Sequence, residues 1–165
     1  MRGDSKKPRK PLDAAGARDS ALRALGRREH SAAELQAKLQ RRGADKDTAS
    51  EVVDTLSERG WQSDSRYAEM LVRNRVQQGY GRLRIEAELE AARVPREEIS
   101  AALEAADCDW TELACALQRR RFGGPPKGAA DWQKQYRYLA GRGFESGPIR
   151  AALKGGAQEP ESDPE

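Results

Sequence analysis

The chain has 165 residues, of which 37% are hydrophobic, 35% are charged and only 5% are Phe, Trp or Tyr. This composition allows several small hydrophobic cores but supplies little apolar surface for one large core. It contains no apolar run of about 18 residues, as a transmembrane helix requires, and the basic N-terminus lacks the apolar stretch of a secretion signal. We therefore expect a cytoplasmic protein without a membrane partner.

Charge is distributed unevenly along the chain. Residues 1–50 hold 13 Lys and Arg against 7 Asp and Glu, residues 51–116 hold 8 against 14, and residues 117–154 hold 9 against 2. The segment 155–165 carries four acidic residues and no basic one. A basic, acidic, basic order of this kind indicates separate surfaces for different neighbours.

The two ends lack hydrophobic periodicity. Residues 1–18 contain the basic run KKPRKP and residues 155–165 are rich in Gly, Pro and acids, so we predict a disordered basic arm and a disordered acidic tail. Between them, one pattern recurs every fifty residues or so, in ELQAKLQRRGA, RIEAELEAARV and KQYRYLAGRGF. The matching apolar positions are Leu39, Leu89 and Leu139, followed by Ala44, Val94 and Phe144.

The first repeat is predicted over residues 19–60. Its first helix covers 19–29, and its middle helix starts at the S-x-x-E capping box of Ser31 and Glu34. Gly43 provides the left-handed conformation that ends this helix. The third helix is indicated by a start signal at Asp45 or Asp47 and by an apolar face at helical spacing, which comprises Ala49, Val52, Val53 and Leu56.

The second repeat is predicted over residues 61–107. Its first helix covers 64–78 with Asp64 as N-cap, and Arg93 replaces the glycine that ends the middle helix of the first repeat. In the GYGRLR stretch, Tyr80 either stacks on a nucleic-acid base or packs a turn. The remaining helical signals are the stripe Tyr67, Met70, Leu71 and Asn74, the start at Pro95, Glu97 and Glu98, and the face Ile99, Ala102, Leu103 and Ala106.

The third repeat is predicted over residues 108–154. Its first helix covers 109–121 and is followed by the loop GGPPKGAAD, an insertion of the kind that helical repeats accept at one loop position. Its third helix starts near Ser146 and Pro148. Together the repeats predict an all-α protein of three tandem three-helix bundles, stacked into an elongated, curved array. Such arrays usually serve as binding surfaces.

The sequence offers little for catalysis. His30 is the single histidine, and Cys108 and Cys115 form no CxxC pair, which leaves few components for a metal site or a catalytic triad. Glu86 and its acidic neighbours alternate around a helix instead of converging, and no phosphate-binding glycine motif is present. We therefore predict that the chain is not an enzyme and needs no cofactor, metal or small-molecule substrate.

Positive charge in the third repeat is the strongest binding signal. It fits contact with phosphates or with an acidic protein surface, although a merely solvated helical face has the same pattern. The candidate partner or DNA contacts are Arg119, Arg120, Arg121, Lys127, Lys134, Arg137, Arg142 and Arg150.

Three further motifs occur in order across residues 21–153. The first is the continuous stretch ALRALGRREHSAAELQAKLQRRG, residues 21–43. The second is D-x-x-[FY]-A followed by G-x-G, and the third is R-G-F-x-x-x-x-I. The residues that match them, with the adjoining Arg84, are Leu22, Leu25, Arg28, Ser31, Glu34, Leu35, Lys38 and Leu39, then Asp64, Tyr67, Ala68, Gly79 and Gly81, then Arg142, Gly143, Phe144 and Ile149.

In this order the motifs resemble the RecX family, which regulates the recombinase RecA. The resemblance implies a non-catalytic regulator that binds RecA filaments on DNA. It implies suppression of strand exchange, ATP hydrolysis and the coprotease role, within DNA repair and the SOS response, with only weak and nonspecific contact to DNA. Arg93, the loop at 123–131 and the acidic tail depart from the family pattern. A sequence-nonspecific nucleic-acid binder is the main alternative, and a helical adaptor with an unrelated partner is a third.

Overall fold

The computed structural model describes residues 10–154, and its regular secondary structure in this range is entirely helical. We group the helices as module 1 (α1–α3), module 2 (α4–α6) and module 3 (α7–α9). Their order confirms the predicted all-α fold of three tandem three-helix units. The helices are α1 (Ala14–Arg27), α2 (Ala32–Arg41), α3 (Lys46–Glu58), α4 (Asp64–Gln77), α5 (Arg82–Ala91), α6 (Arg96–Ala105), α7 (Trp110–Phe122), α8 (Ala129–Gly141) and α9 (Ser146–Leu153).

Each module has a small hydrophobic cluster of its own. Leu35 and Leu39 lie in the first, Ile85 and Leu89 in the second, and the helix pairs that pack most extensively belong to the same module. Trp110 at the start of α7 bridges modules, because its partly buried ring packs on the cluster of module 2. The apolar area is therefore divided among three cores, as the composition predicts. None of the helices in residues 10–154 is long and apolar enough to cross a membrane.

The middle helix of every module ends in the same turn. The residue after the C-cap has a positive φ, and the next residue is buried and donates its N–H to the carbonyl three positions before the C-cap. This confirms the predicted helix ends and the apolar anchors that follow them. The positive-φ residues are Gly43, Arg93 and Gly143, and the anchor pairs are Ala44 with Leu39, Val94 with Leu89 and Phe144 with Leu139.

Helix α1 begins earlier than predicted. The carboxylate of Asp13 accepts a hydrogen bond from the N–H of Gly16 at 2.8 Å, and Ala17 is fully buried. A capped and buried turn is stable, so the prediction of a disordered arm over 1–18 is wrong for residues 14–18. Residues 1–9 and the acidic tail at 155–165 lie outside the described residues.

The N-cap of α4 also differs from the prediction. Ser63 caps this helix, its hydroxyl accepting from the N–H of Arg66 at 3.2 Å. Asp64 is instead the first helical residue, and its carboxylate accepts from the N–H of Ala32 in module 1 at 2.9 Å. Asn74, placed in the apolar stripe, and Ala106, placed in the apolar face of the third helix, are exposed. The predicted caps at Ser31 and Asp45 are confirmed.

Candidate partner-binding surfaces

A basic groove of about 740 Å³ runs along α2 where module 1 meets module 2, and we call it the junction groove. Five cationic side chains line it against one carboxylate, that of Glu34. Clefts with one sign of charge concentrate ions of the opposite sign. The cations of the junction groove are Arg28, Lys38, Arg41, Lys46 and Arg93.

The cations of the junction groove come from four separate stretches of the chain. Lys38 and Arg41 lie on α2, whereas Arg28 is the C-cap of α1 and Lys46 begins α3. Arg93 follows the C-cap of α5 with a φ of +57°, a left-handed conformation in which glycine is the usual residue. The departure from glycine at this position thus adds a positive charge to the junction groove.

One acidic side chain organises the inner wall of the junction groove. Glu34 lies 3.4 Å from the guanidinium of Arg28 and accepts a hydrogen bond from the Tyr67 hydroxyl at 3.2 Å. Burial, followed by the charge and hydrogen bond of Glu34, raises the pKa of Tyr67 to about 12. Beside it, His30 donates from Nδ1 to the carbonyl of Arg28, and burial lowers the pKa of its ring below 6.5. Burial thus favours the neutral form of the His30 ring.

Modules 1 and 2 are joined by hydrogen bonds around the start of α2. The hydroxyl of Ser31, which is fully buried, donates to the carbonyl of Ala92 at 2.9 Å. Gln62 donates to the carbonyl of His30 at 3.1 Å. Arg66 pairs with Glu29 at 3.0 Å on the exposed side. The hydrogen bond between Ala32 and Asp64 crosses the same contact, so polar groups of both modules meet there.

Modules 2 and 3 are joined by a close contact between two glycines. The N–H of Gly81 donates to the carbonyl of Arg142 at 2.8 Å, and that of Leu83 donates to the carbonyl of Gly143 at 2.9 Å. A Cβ at Gly81 would lie 2.4 Å from backbone atoms of Gly143, and one at Gly143 would lie 2.4 Å from the Cβ of Arg84. Only glycine fits at both positions without a shift of the backbone.

The two junctions use equivalent positions. In each, the N-cap of one middle helix, Ser31 or Gly81, contacts the C-cap of the next middle helix, Ala92 or Arg142. The geometry therefore repeats while the chemistry differs. A serine hydroxyl makes the first contact, and a backbone N–H makes the second.

Arg142 belongs to the second junction. Its guanidinium donates to the carbonyls of Gln78 and Gly79 and lies 3.9 Å from the centre of the Tyr80 ring. Arg84 also lies over this ring, at 4.3 Å. The ring is therefore occupied by cation–π contacts within the chain, and of the two predictions for Tyr80 the structure supports the packed turn.

The other predicted cations of module 3 have different surroundings. All are exposed, and Arg121 lies over the ring of Tyr138 at 5.4 Å. Arg150 also takes part in an interaction. The exposed cations form what we call the module 3 surface, and their contact with a partner stays a prediction; they are Arg119, Arg120, Arg121, Lys127, Lys134, Arg137 and Arg150.

The family-motif residues divide by role. Arg28, Glu34 and Lys38 line the junction groove, whereas Leu35 and Leu39 are buried in module 1. The remaining motif residues serve packing or junctions, namely Ser31, Asp64, Tyr67, Gly79, Gly81, Arg84, Gly143 and Phe144. Sequence reasoning missed Arg41, Lys46 and Arg93 as groove residues. Among residues 10–154 there is no group of three or more His, Cys, Asp or Glu that could hold a metal ion.

Comparison with known proteins gives matches along most of the chain. Residues 17–56, 63–103 and 107–153 match the family models described as the first, second and third three-helix domains of RecX. The regulatory protein RecX of Xanthomonas axonopodis pv. citri (strain 306) is 50% identical over 135 residues, covering 81% of this chain and 83% of that protein. That of Chromohalobacter salexigens is 40% identical over 136 residues, covering 82% and 90%.

Solved structures share the fold. The crystal structure of RecX from Lactobacillus salivarius superposes with a TM-score of 0.72 at 21% sequence identity, covering 86% of this chain and 94% of that one. A second crystal structure, of a regulatory protein RecX, also has a TM-score of 0.72, at 22% identity, and covers 83% and 71%. These similarities extend over all three modules.

Proposed function

The chain belongs to the RecX family of regulatory proteins, and from this premise we propose that it binds RecA–DNA nucleoprotein filaments and inhibits them. Inhibition covers the recombinase, ATPase and coprotease activities of RecA, and the setting is DNA repair and SOS regulation in the cytoplasm. The chain catalyses no reaction of its own in this proposal and needs no cofactor. In this proposal the chain lowers the activities of the filament by binding to it.

The junction groove is the observation that supports this proposal most strongly. Its five cations face one carboxylate in an open cleft of about 740 Å³, which suits a row of phosphates or acidic side chains rather than one small ligand. It extends across the contact between two modules, so an extended polyanion can contact both at once. A nucleoprotein filament presents phosphates and acidic protein groups side by side.

The module 3 surface provides a second contact at the other end of the array. Between the two basic regions, residues 51–116 carry 14 acidic against 8 basic side chains. Charge complementarity of this kind selects partners and speeds their encounter. A partner with alternating acidic and basic areas therefore fits better than a uniform polyanion, and this favours the filament over bare DNA.

The test compares binding to RecA–ATP filaments on single-stranded DNA with binding to the same DNA alone, at two salt concentrations, with ATPase measured in the same samples. Tight filament binding, weaker binding to bare DNA and falling ATPase are expected. Arg41→Glu, in the junction groove, should weaken filament binding by about tenfold or more. Arg96→Glu is the matched control, because Arg96 is exposed at the start of α6 and lines neither basic surface.

The second candidate function is sequence-nonspecific nucleic-acid binding that affects recombination indirectly. The junction groove favours it too, since its cations suit a phosphate backbone. It predicts equal affinity for bare DNA and for filaments, with the same steep loss in salt. Such a result would replace the filament proposal. An Arg41→Glu variant whose filament affinity matches that of Arg96→Glu would show instead that the junction groove is not the contact.

A further inference from the structure

A second cleft adjoins the junction groove on the side of module 2, and we call it the module 2 cleft. It has a volume of about 500 Å³ and is lined mainly by residues of α4 and α5. The two depressions have lining residues in common, so they meet where module 1 contacts module 2. The shared residues are Arg28, Glu34, Ala91 and Ala92.

The module 2 cleft differs from the junction groove in charge. Each cation that lines it is paired with a carboxylate that also lines it. Arg28 lies 3.4 Å from Glu34, and Arg75 lies 2.7 Å from Glu88. The charges of the cleft therefore balance, whereas the junction groove has five cations against one carboxylate. A polyanion is attracted to the groove but gains no such attraction in the cleft.

The module 2 cleft provides an apolar contact in place of charge. Met70 lines it and is only partly buried, although it packs against the hydrophobic cluster of module 2. A methionine side chain is unbranched and polarizable, so it adapts to apolar groups of different shape. The cleft therefore suits an uncharged side chain of a partner, next to a groove that suits negative charge.

Side-chain amides line both depressions. Gln36 and Gln40 lie in the junction groove, and Asn74 lies in the module 2 cleft. None of these three side chains makes a hydrogen bond to another group within residues 10–154. An amide side chain both donates and accepts, which matches the N–H and C=O groups of a peptide backbone, whereas phosphate oxygens mainly accept.

We propose that the junction groove and the module 2 cleft together bind one extended, acidic segment of a protein partner. Carboxylates of the segment lie in the junction groove, and an uncharged side chain lies against Met70. This inference rests on the proposed function, since it assigns the contact to the protein of the filament rather than to its DNA. The ten residues of α2 span about 15 Å, the length of about five residues of extended chain. A phosphate backbone, charged evenly along its length, would use the junction groove alone.

The experiment measures the affinity of the full chain for RecA–ATP filaments on single-stranded DNA and for the same DNA alone. Met70→Gln replaces the apolar contact by a neutral polar one, so it should weaken filament binding by about threefold to tenfold. Its affinity for bare DNA and its salt dependence should stay the same. Met70→Leu keeps an apolar contact and should bind filaments like the unchanged chain. Val76→Gln is the matched control, because Val76 is also partly buried on α4 against the same cluster but lines neither depression.

A second variant tests the module 2 cleft without disturbing the core. Asn74 is exposed, so Asn74→Ala should fold normally and weaken filament binding by about twofold to tenfold through the loss of its amide. Gln77→Ala is its control, since Gln77 is exposed on the same helix and lines neither depression. Circular dichroism shows whether each variant is folded.

The possible outcomes distinguish this inference from the proposed function. Full filament affinity of both Met70→Gln and Asn74→Ala would overturn the inference and leave the proposed function intact. An equal loss of affinity for bare DNA would also overturn it, because a nucleic-acid strand would then occupy both depressions. If the unchanged chain bound filaments no better than bare DNA, the proposed function would fail and the inference with it.

Discussion

Tyr67 is a titratable residue that also joins two modules. Its hydroxyl donates to Glu34 across the contact between modules 1 and 2, and its pKa is raised to about 12 from an ordinary value of 10.0. The folded state therefore favours the neutral phenol. Its contribution to stability is complete below pH 10 and is lost as the pH rises towards about 12. Across that window the free energy of unfolding should fall by about 1–3 kcal/mol on account of this group.

The measurement is a difference between two proteins, which isolates the Tyr67 hydroxyl from other pH-dependent contributions to stability. Urea unfolding of the unchanged chain and of Tyr67→Phe is compared at several pH values from 9 to 12. The phenylalanine variant is expected to be less stable near pH 9, because Glu34 loses a donor. The gap should close as the pH rises. A gap that stays constant would show that Tyr67 ionises equally easily in both states.

Gly143 illustrates how one missing side chain permits a junction. Its φ is +95°, and a Cβ there would lie 2.4 Å from the Cβ of Arg84. Gly143→Ala should therefore lower the free energy of unfolding by about 1–3 kcal/mol or more, because it adds both backbone strain and a clash. Gly141→Ala is the matched control two residues earlier, where a Cβ meets nothing within 4 Å. It lies in α8 and should be stabilising by about 0.5–1 kcal/mol.

At the scale of the helix, Ser31 both caps α2 and joins two modules. Its hydroxyl oxygen accepts from the N–H of Glu34 at 3.1 Å while its proton goes to the carbonyl of Ala92. Ser31→Ala should cost about 2–4 kcal/mol, since it removes a cap and leaves a buried carbonyl unpaired. Ser63→Ala removes only the cap of α4 and should cost about 1 kcal/mol. Thermal unfolding of both variants measures the difference, and equal losses would contradict the double role.

Helix boundaries were predictable where the signals are local. Ser31 with Glu34, and Gly43 with Ala44, lie within a few residues of each other, and the structure confirms both arrangements. Asp64 shows the limit of such reasoning. From the sequence it is a good cap for its own helix, but its carboxylate serves Ala32, 32 residues away. Nothing in the local sequence distinguishes these two uses of an aspartate.

The candidate site was predictable only in part, for a similar reason. The basic residues of module 3 cluster along the sequence, so their charge is visible before the fold is known. The junction groove is assembled from separate stretches, and Arg93 is distant in sequence from Lys38 and Arg41. Its charge density emerges only when modules 1 and 2 are placed together. Arg142 is the opposite case. Its charge suggests a partner contact from the sequence, but its guanidinium donates to carbonyls within the chain.

At the scale of the whole molecule, the cores of the modules are apolar and the junctions between them are mainly polar. Each module buries its own hydrophobic cluster, whereas the contacts between modules are mainly hydrogen bonds, the Arg66–Glu29 ion pair and glycine turns, with Trp110 as an apolar contact between modules 2 and 3. Stability in such arrays is the sum of the modules and the contacts between neighbours. A change at a junction can therefore loosen the array while the modules stay folded. Effects on the shape of the array can then be distinguished by experiment from effects on the folding of the modules.

Arg142 and Arg137 provide that separation on one stretch of chain. Arg142→Leu removes the donors to the carbonyls of Gln78 and Gly79, so it should cost about 1–3 kcal/mol in stability and increase the radius of gyration in X-ray scattering. Its filament affinity should fall because the two basic surfaces are no longer held in register. Since no direct ion contact is lost, the dependence of affinity on salt should stay the same.

Arg137→Leu is the matched change at an exposed position of α8. It should leave stability and radius of gyration unaltered, weaken filament binding, and reduce the slope of log affinity against log salt by about one. This opposite pattern follows if Arg137 touches the partner and Arg142 acts through the shape of the array. The two roles would have to be exchanged if Arg142→Leu changed the salt slope without changing the scattering.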